Sequence, residues 1–192
     1  MSTQPLHIGF VGLGIMGTPM AGHLIKAGHT LHLHTRGTVP AELVQAGGQA
    51  CASGREVAQA SDIVIIMVPD TPDVGAVLFG EGGVAEGLTK GKLVIDMSSI
   101  SPVETKEYAA RIEALGCDYI DAPVSGGDVG AKNATLSIMC GAKEAAFERA
   151  KPVFELMGKN ITRVGEIGDG QTCKVANQIV VALTINAVAE GL

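Results

Sequence analysis

The chain has 192 residues, enough for one sizeable domain and the start of a second. Apolar residues make up 46% of it, glycine is abundant and tryptophan absent, which fits an α/β protein with a core of Val, Ile, Leu and Ala. The net charge of -6, with no Lys/Arg cluster, argues against a nucleic-acid partner.

Met1–Pro5 carries no basic stretch or cleavage site, so no secretory signal is expected. Leu6–Val11 reads as a strand, followed by a glycine-rich turn and a helix from Met16 to Ala27 with Gly28 closing it. Thr30–His34 is a second strand and Val39–Ala46 a helix. Ser53 with Glu56 forms a capping-box pattern that opens a helix to Ala60. Ile63–Val68 is continuously apolar, as in a parallel sheet covered on both faces, and Pro69 ends it. Asp73–Phe79 reads as a short helix, Leu93–Met97 as a strand. Pro102, capped by Ser101, begins a helix to Leu115. Asp118–Ala122 is a strand, Pro123 and Gly126-Gly127 mark a loop, and Thr135–Cys140 is a strand. A helix burying Phe147, Ala150, Phe154 and Met157 precedes a last strand, Ile161–Val164. The final helix starts at Asp169 or Gly170. This alternation predicts an α/β, doubly wound, mostly parallel sheet of Rossmann type.

Cys51, Cys117, Cys140 and Cys173 are scattered, with no CxxC and no His at ligand spacing, so they read as small packing residues in a reducing cytosol. His32 and His34 alternate on one strand face without a third ligand, and read as surface strand residues; no metal is expected.

Gly12-Leu13-Gly14-Ile15-Met16-Gly17 lies between a predicted strand and a predicted helix, the context that gives a GxGxxG pattern meaning. The first Gly permits the turn, the second lets a pyrophosphate approach, and the third lets helix and strand pack. Amides at the helix start would hold the anion. At the end of the second strand, where an acid would read the ribose of NAD, stand Thr35 and Arg36. An Arg can fork onto a 2′-phosphate, so NADPH is expected to be accepted; the alternative is stacking on adenine or exposure to water.

The last helix holds Lys174, Asn177 and Gln178 at i, i+3 and i+4, one face of an otherwise apolar helix. A helix apolar on nearly every side is expected to be buried. Its interrupting polar residues fit a soluble helix better than a membrane span. Buried polar groups need polar partners: either a ligand or a satisfied core network. Asp121-Ala-Pro-Val-Ser125-Gly126-Gly127 joins two strands through small residues, leaving amides and a hydroxyl for a carboxylate, or forming a plain turn.

Four segments in one order, Gly12–Met20, Asp96–Pro102, Asp121–Gly127 and Gly170–Gln178, make the chain similar to the β-hydroxyacid dehydrogenase family over essentially its whole length. Met67–Pro72, Asp96–Pro102 and Gly168–Gln178 look most like its tartronate semialdehyde reductase branch. The resemblance implies NAD(P)H as cofactor and a small carboxylate-bearing aldehyde or hydroxyacid as substrate. Lys174 would then be the general acid that protonates the carbonyl oxygen. Asn177 and Gln178 would orient it or the substrate, and Ser125, Gly126 and Gly127 would hold the carboxylate. Ser99 would lie by the nicotinamide, with Val68 and Pro69 along the cofactor. It further implies a cytoplasmic homo-oligomer with no membrane or nucleic-acid partner.

By the same resemblance, residues 1–166 form the NAD(P)-binding domain, and 167–192 begin an interdomain helix leading to an all-α domain that is truncated here. That reading makes the chain a fragment, or dependent on a partner subunit. The alternatives are a 3-hydroxyisobutyrate dehydrogenase and, in a different class, a non-catalytic nucleotide-binding fragment.

Overall fold

The structure is a computed structural model that describes residues 4–192, so the first part of the Met1–Pro5 segment lies outside the described residues. Strand β1 (His7–Val11) leads through the glycine turn into α1 (Gly17–Lys26). Then follow β2 (Thr30–His34), α2 (Ala41–Gln45), β3 (Gln49–Ala50), α3 (Gly54–Ala60) and β4 (Ile63–Ile66). The next elements are α4 (Thr71–Phe79), a 3-10 turn (Val84–Gly87), β5 (Leu93–Asp96), α5 (Pro102–Glu113) and β6 (Asp118–Asp121). The chain ends with β7 (Val124–Ser125), α6 (Gly127–Lys132), β8 (Leu136–Gly141), α7 (Glu144–Phe154), β9 (Gly158–Gly165) and α8 (Asp169–Gly191).

The sheet runs β3-β2-β1-β4-β5-β6-β8-β7, with β9 paired to β8. Every pair from β3 to β6 is parallel. This is the expected Rossmann order: the chain leaves β1 toward β2, then crosses back to lay β4 on its other side. The reversal opens a crevice at the carboxyl ends of β1 and β4.

Helices cover both faces. Ile63 and Ile65 of β4 enter a core shared with Met20 and Leu24 of α1 and Phe147 and Phe154 of α7. Val64 and Ile66 enter the opposite core, with Val57 of α3, Val74 and Leu78 of α4 and Ile112 of α5. This explains why β4 is apolar at every position. Each such buried side chain contributes about 1.5–3 kcal/mol.

Beyond β6 the sheet changes direction. Asp121 pairs with Gly141, and Val124 and Ser125 pair with Ile138 and Ser137, all antiparallel. The register continues across the interruption at Ala122-Pro123, where the Pro123 carbonyl accepts from Met139 N–H at 3.0 Å. The segment carrying Ser125 is therefore an edge strand fixed by ladder bonds rather than a free loop. Immediately after it, where the two glycines imply only a loop, the chain forms α6.

Several boundaries differ from the sequence expectation. The strand from Ile63 leaves the sheet after Ile66, two residues early, because the β1 partner has already turned at Gly12. Helix α4 starts two residues earlier than Asp73, since the Asp70 carboxylate accepts from Thr71 N–H at 2.7 Å and caps it. Helix α2 is shorter than Val39–Ala46 because Pro40 is its extended N-cap.

One burial expectation is overturned and a second is met only in part. His32 is not a surface residue: it is only 8% exposed, under α3, its ring stacked on His7. A parallel strand covered on both faces has no solvent side, so alternation at β2 does not mark an exposed face. The second is α8, which is buried only at Gly170, Gln171 and Lys174. Ile179, Val180, Leu183, Ile185 and Val188 are exposed among the described residues. The helix is long and apolar enough to cross a membrane by length and composition alone. Of the cysteines, Cys117 and Cys140 are buried and Cys51 and Cys173 half-buried; all four are free.

Candidate active site

The crevice at the β1/β4 switch point is a cleft of about 600 Å³. Gly12, Leu13, Gly14, Ile15, Met16 and Gly17 form one wall, Thr35 and Arg36 one end, and Val68 and Pro69 the opposite side. The three glycines differ in what surrounds them. Gly12 has a positive φ of 98°, and a Cβ there would strike the Met67 carbonyl. A Cβ on Gly17 would strike the Gly12 carbonyl, so this position sets how closely α1 packs on β1. Gly14 has nothing within 4 Å of such an atom: its open side faces the cleft. The first helical bond here runs from Thr18 N–H to the Gly14 carbonyl, which leaves the Ile15 and Met16 amides free of backbone partners. A turn with one open face and free amides at a helix start fits a pyrophosphate.

At the end of β2, the Arg36 side chain is 83% exposed, and its guanidinium lies 3.2 Å from the Asp73 carboxylate of α4. His34, Asp73 and Glu81 also line the cleft. Sequence reading missed Asp73 as a cleft residue because it appeared only as a helix start.

A buried polar network joins this cleft to α8. Ser98 Oγ accepts from Val68 N–H at 3.0 Å and so fixes the cleft edge. The Ser98 carbonyl accepts from Gln171 Nε2 at 2.8 Å, and Gln171 Oε1 accepts from Ile100 N–H at 3.1 Å. Gln171 is fully buried. Asp121 receives Gly168 N–H at 2.7 Å on one oxygen and Gln171 N–H at 2.9 Å on the other. That carboxylate, 47 residues away in sequence, satisfies two amides at the start of α8. Asp96 accepts from Ser98 N–H and from the Tyr119 hydroxyl. Burial pushes the carboxyls of Asp96 and Asp121 each up to about 6, against the downward pull of these hydrogen bonds. The network thus supplies part of the satisfied-core alternative, through Gln171 rather than through Lys174.

Lys174 lies one turn beyond Gln171 on the same face. It is 9% exposed, and no carboxylate stands within ion-pair distance of its amine among the described residues. Burial lowers its pKa below the ordinary lysine value. Asn177 is half-buried and donates from Nδ2 to Gln178 Oε1 at 3.1 Å, while Gln178 is exposed. The face therefore runs from buried to open as it leaves the sheet.

Ser125 is half-buried on β7, and Gly126 and Gly127 are exposed, with positive φ of 134° and 60°. They sit at the junction of β7 and α6, away from the lining of the cleft. Ser99 is exposed and does not line it either; its neighbour Ser98 makes the connection instead. The structure thus collects Gly12–Gly17, Thr35, Arg36, Val68 and Pro69 around one cleft. It places Lys174, Asn177, Gln178 and the Ser125 segment beyond the polar network. Among the described residues, no three His, Cys, Asp or Glu side chains are grouped to hold a metal ion.

Residues 7–165 match the family model described as the NAD binding domain of 6-phosphogluconate dehydrogenase. Over 187 residues the chain is 61% identical to the 2-hydroxy-3-oxopropionate reductase of Escherichia coli (strain K12), covering 97% of this chain and 64% of that protein. Among solved structures it is similar to the Mycobacterium tuberculosis 3-hydroxyisobutyrate dehydrogenase with L-serine, at a TM-score of 0.91 and 36% identity over 98% of this chain and 64% of that one. It is also similar to Psf3 in complex with NADP+ and 2-OPP, at a TM-score of 0.88 and 27% identity over 96% of this chain and 67% of that one. The chain thus spans about 64% of the length of the first two relatives.

Proposed function

The chain belongs to the β-hydroxyacid dehydrogenases that share the NAD-binding domain of 6-phosphogluconate dehydrogenase, and from that premise we propose that it reduces tartronate semialdehyde to D-glycerate with NAD(P)H, Lys174 serving as general acid. A buried lysine without a counter-ion, one turn from the network that borders the cofactor cleft, is the observation that carries this reading. The 61% identity to a 2-hydroxy-3-oxopropionate reductase supports this choice of substrate.

The chemistry asks for an acid at this place. A dinucleotide held along the Gly12–Gly17 turn would supply the hydride that the aldehyde carbon needs. As the carbonyl oxygen gains negative charge, the Lys174 ammonium stabilises it and gives it a proton, so an alcohol forms and a neutral amine remains. Burial lowers the cost of releasing that proton, because it disfavours the charged form of lysine. Asn177, half-buried one turn further on, orients the ammonium, and the Ser125 segment binds the substrate carboxylate. Gly14 and the Ile15 and Met16 amides hold the pyrophosphate.

Replacing Lys174 by Ala tests the assignment. Turnover should fall about 10²–10⁴-fold while NADH binding persists. Near-normal turnover would remove Lys174 from the mechanism. A preference for oxidising 3-hydroxyisobutyrate over reducing tartronate semialdehyde would move the protein to another substrate within the family. Dinucleotide binding by the whole protein with no turnover on either compound would leave a non-catalytic nucleotide-binding module.

A further inference from the structure

The adenosine end of the cleft carries a charge arrangement that Arg36 alone does not describe. The usual acid at the end of β2, which reads the ribose hydroxyls of NAD, is missing: Thr35 and Arg36 stand there. Taken by itself, Arg36 favours a 2′-phosphate. Yet its guanidinium is already matched at 3.2 Å by Asp73, which reaches it from α4. Both side chains line the cleft, and Glu81 lines it too. The Arg36–Asp73 pair leaves that end with no positive excess to offer a dianionic phosphate, and Glu81 adds negative charge to the cleft. The Asp73 side chain is 29% exposed, so its charge is less screened than that of a fully solvated carboxylate.

We propose that Asp73 is the coenzyme-discriminating residue of this chain: from α4 it takes the place of the missing acid of β2, accepts from a ribose hydroxyl and repels a 2′-phosphate, so that the chain prefers NADH despite Arg36. Arg36 then acts as a tether that keeps the Asp73 carboxylate turned into the cleft. The inference rests on the assignment of the cleft to a nicotinamide dinucleotide and not on the substrate.

Direct binding tests it. NADH and NADPH are titrated separately into the chain, followed by calorimetry or by fluorescence of the nicotinamide. The unmodified chain should bind NADH about tenfold more tightly than NADPH at low ionic strength, with the ratio narrowing as salt is added. Asp73→Asn should improve NADPH binding about tenfold, and Asp73→Ser, which keeps a small polar group on the exposed side of α4, should do the same. Adding Arg36→Ala to Asp73→Asn should abolish that gain, because the freed guanidinium is what then holds the phosphate. An NADPH affinity unmoved by either Asp73 variant, with NADH still bound, would overturn the proposal while leaving the dinucleotide assignment intact. Failure of the unmodified chain to bind NADH would overturn that assignment, and the proposal with it.

Discussion

The two halves of the candidate site are built by different means. The cofactor turn is made of backbone: β1, β4 and the start of α1 approach so closely that side chains are excluded at Gly12 and Gly17. The half before Lys174 rests on side chains: Asp121, Gln171, Ser98 and Asp96 form a buried network that docks the first turn of α8 on the sheet. From Gln178 onward, α8 is exposed among the described residues. A site made of backbone fails by collision. A site made of buried polar groups fails by leaving donors and acceptors unpaired.

The largest effect should come from adding a methyl group at Gly12. Gly12→Ala combines a strained positive φ with a clash against the Met67 carbonyl, which is backbone and cannot step aside. Strain and overpacking together should cost about 5 kcal/mol, comparable to the stability of a whole domain. Gly14→Ala, two residues on, should change stability by less than about 1 kcal/mol, since open space surrounds it. It should nevertheless weaken NADH binding more than about tenfold by blocking the approach of the pyrophosphate. Chemical denaturation and NADH titration of both variants separate the two effects; a stable Gly12→Ala chain would break the contrast.

Next in size is Gln171→Leu. It fits the volume but strips the partners from Ile100 N–H and the Ser98 carbonyl, both buried. Two orphaned buried groups should cost about 4 kcal/mol. The loss should show in hydrogen exchange as reduced protection of the first turn of α8 and of the Ile100 amide, with β1 and β4 unaffected. Uniform loss of protection across the sheet would mean that the network holds the domain together rather than docking one helix.

How far each half could be read from the chain follows from the same contrast. Glycine spacing is a local signal, and backbone collisions occur within or between adjacent elements, so the close packing at Gly12 and Gly17 and the mostly parallel, doubly wound sheet were legible, while the two-residue strand β3 was not. The network was not. Its bonds to Gly168 and Gln171 span 47 to 73 residues, and no pattern of spacing links Asp121 to Gly168 or Gln171 to Ser98. One clue was present: the apolar strands at Leu93 and Asp118 both end on an aspartate that parallel packing must bury. Ser99, expected beside the nicotinamide, is exposed and outside the cleft lining, while the neighbouring Ser98 is buried in the network. Helix α6 was missed because Gly127, Gly130 and a flanking Gly126 have low helix propensity, and it forms where β8 covers Gly130 and Ala131. Burial of α8 was met only at Gly170, Gln171 and Lys174, since an apolar helix signals that cover is needed and not what supplies it.

The smallest of these effects sharpens the comparison through pH. Asp96 is wholly buried between Ser98 and Tyr119, and burial raises its carboxyl from 3.8 to about 6. Between about pH 4 and pH 6 the folded chain therefore keeps a proton that the unfolded chain has released. Linkage then sets the sign: the contribution of this group is full below pH 4, is lost as pH rises through 6, and stays lost above. The shift corresponds to about 3 kcal/mol at neutral pH. Asp121, moved the same way by burial, adds to the slope. Asp96→Asn keeps an acceptor for Ser98 N–H but cannot titrate. Its unfolding free energy, measured in urea from pH 4 to pH 7.5, should fall less steeply with pH than that of the unmodified chain, and the two curves should converge toward pH 4. Parallel curves would mean that Asp96 is ionised throughout, held by its donors strongly enough to cancel its burial. The network would then be as insensitive to pH as the glycine turn, and the distinction between the two halves would rest on sterics alone.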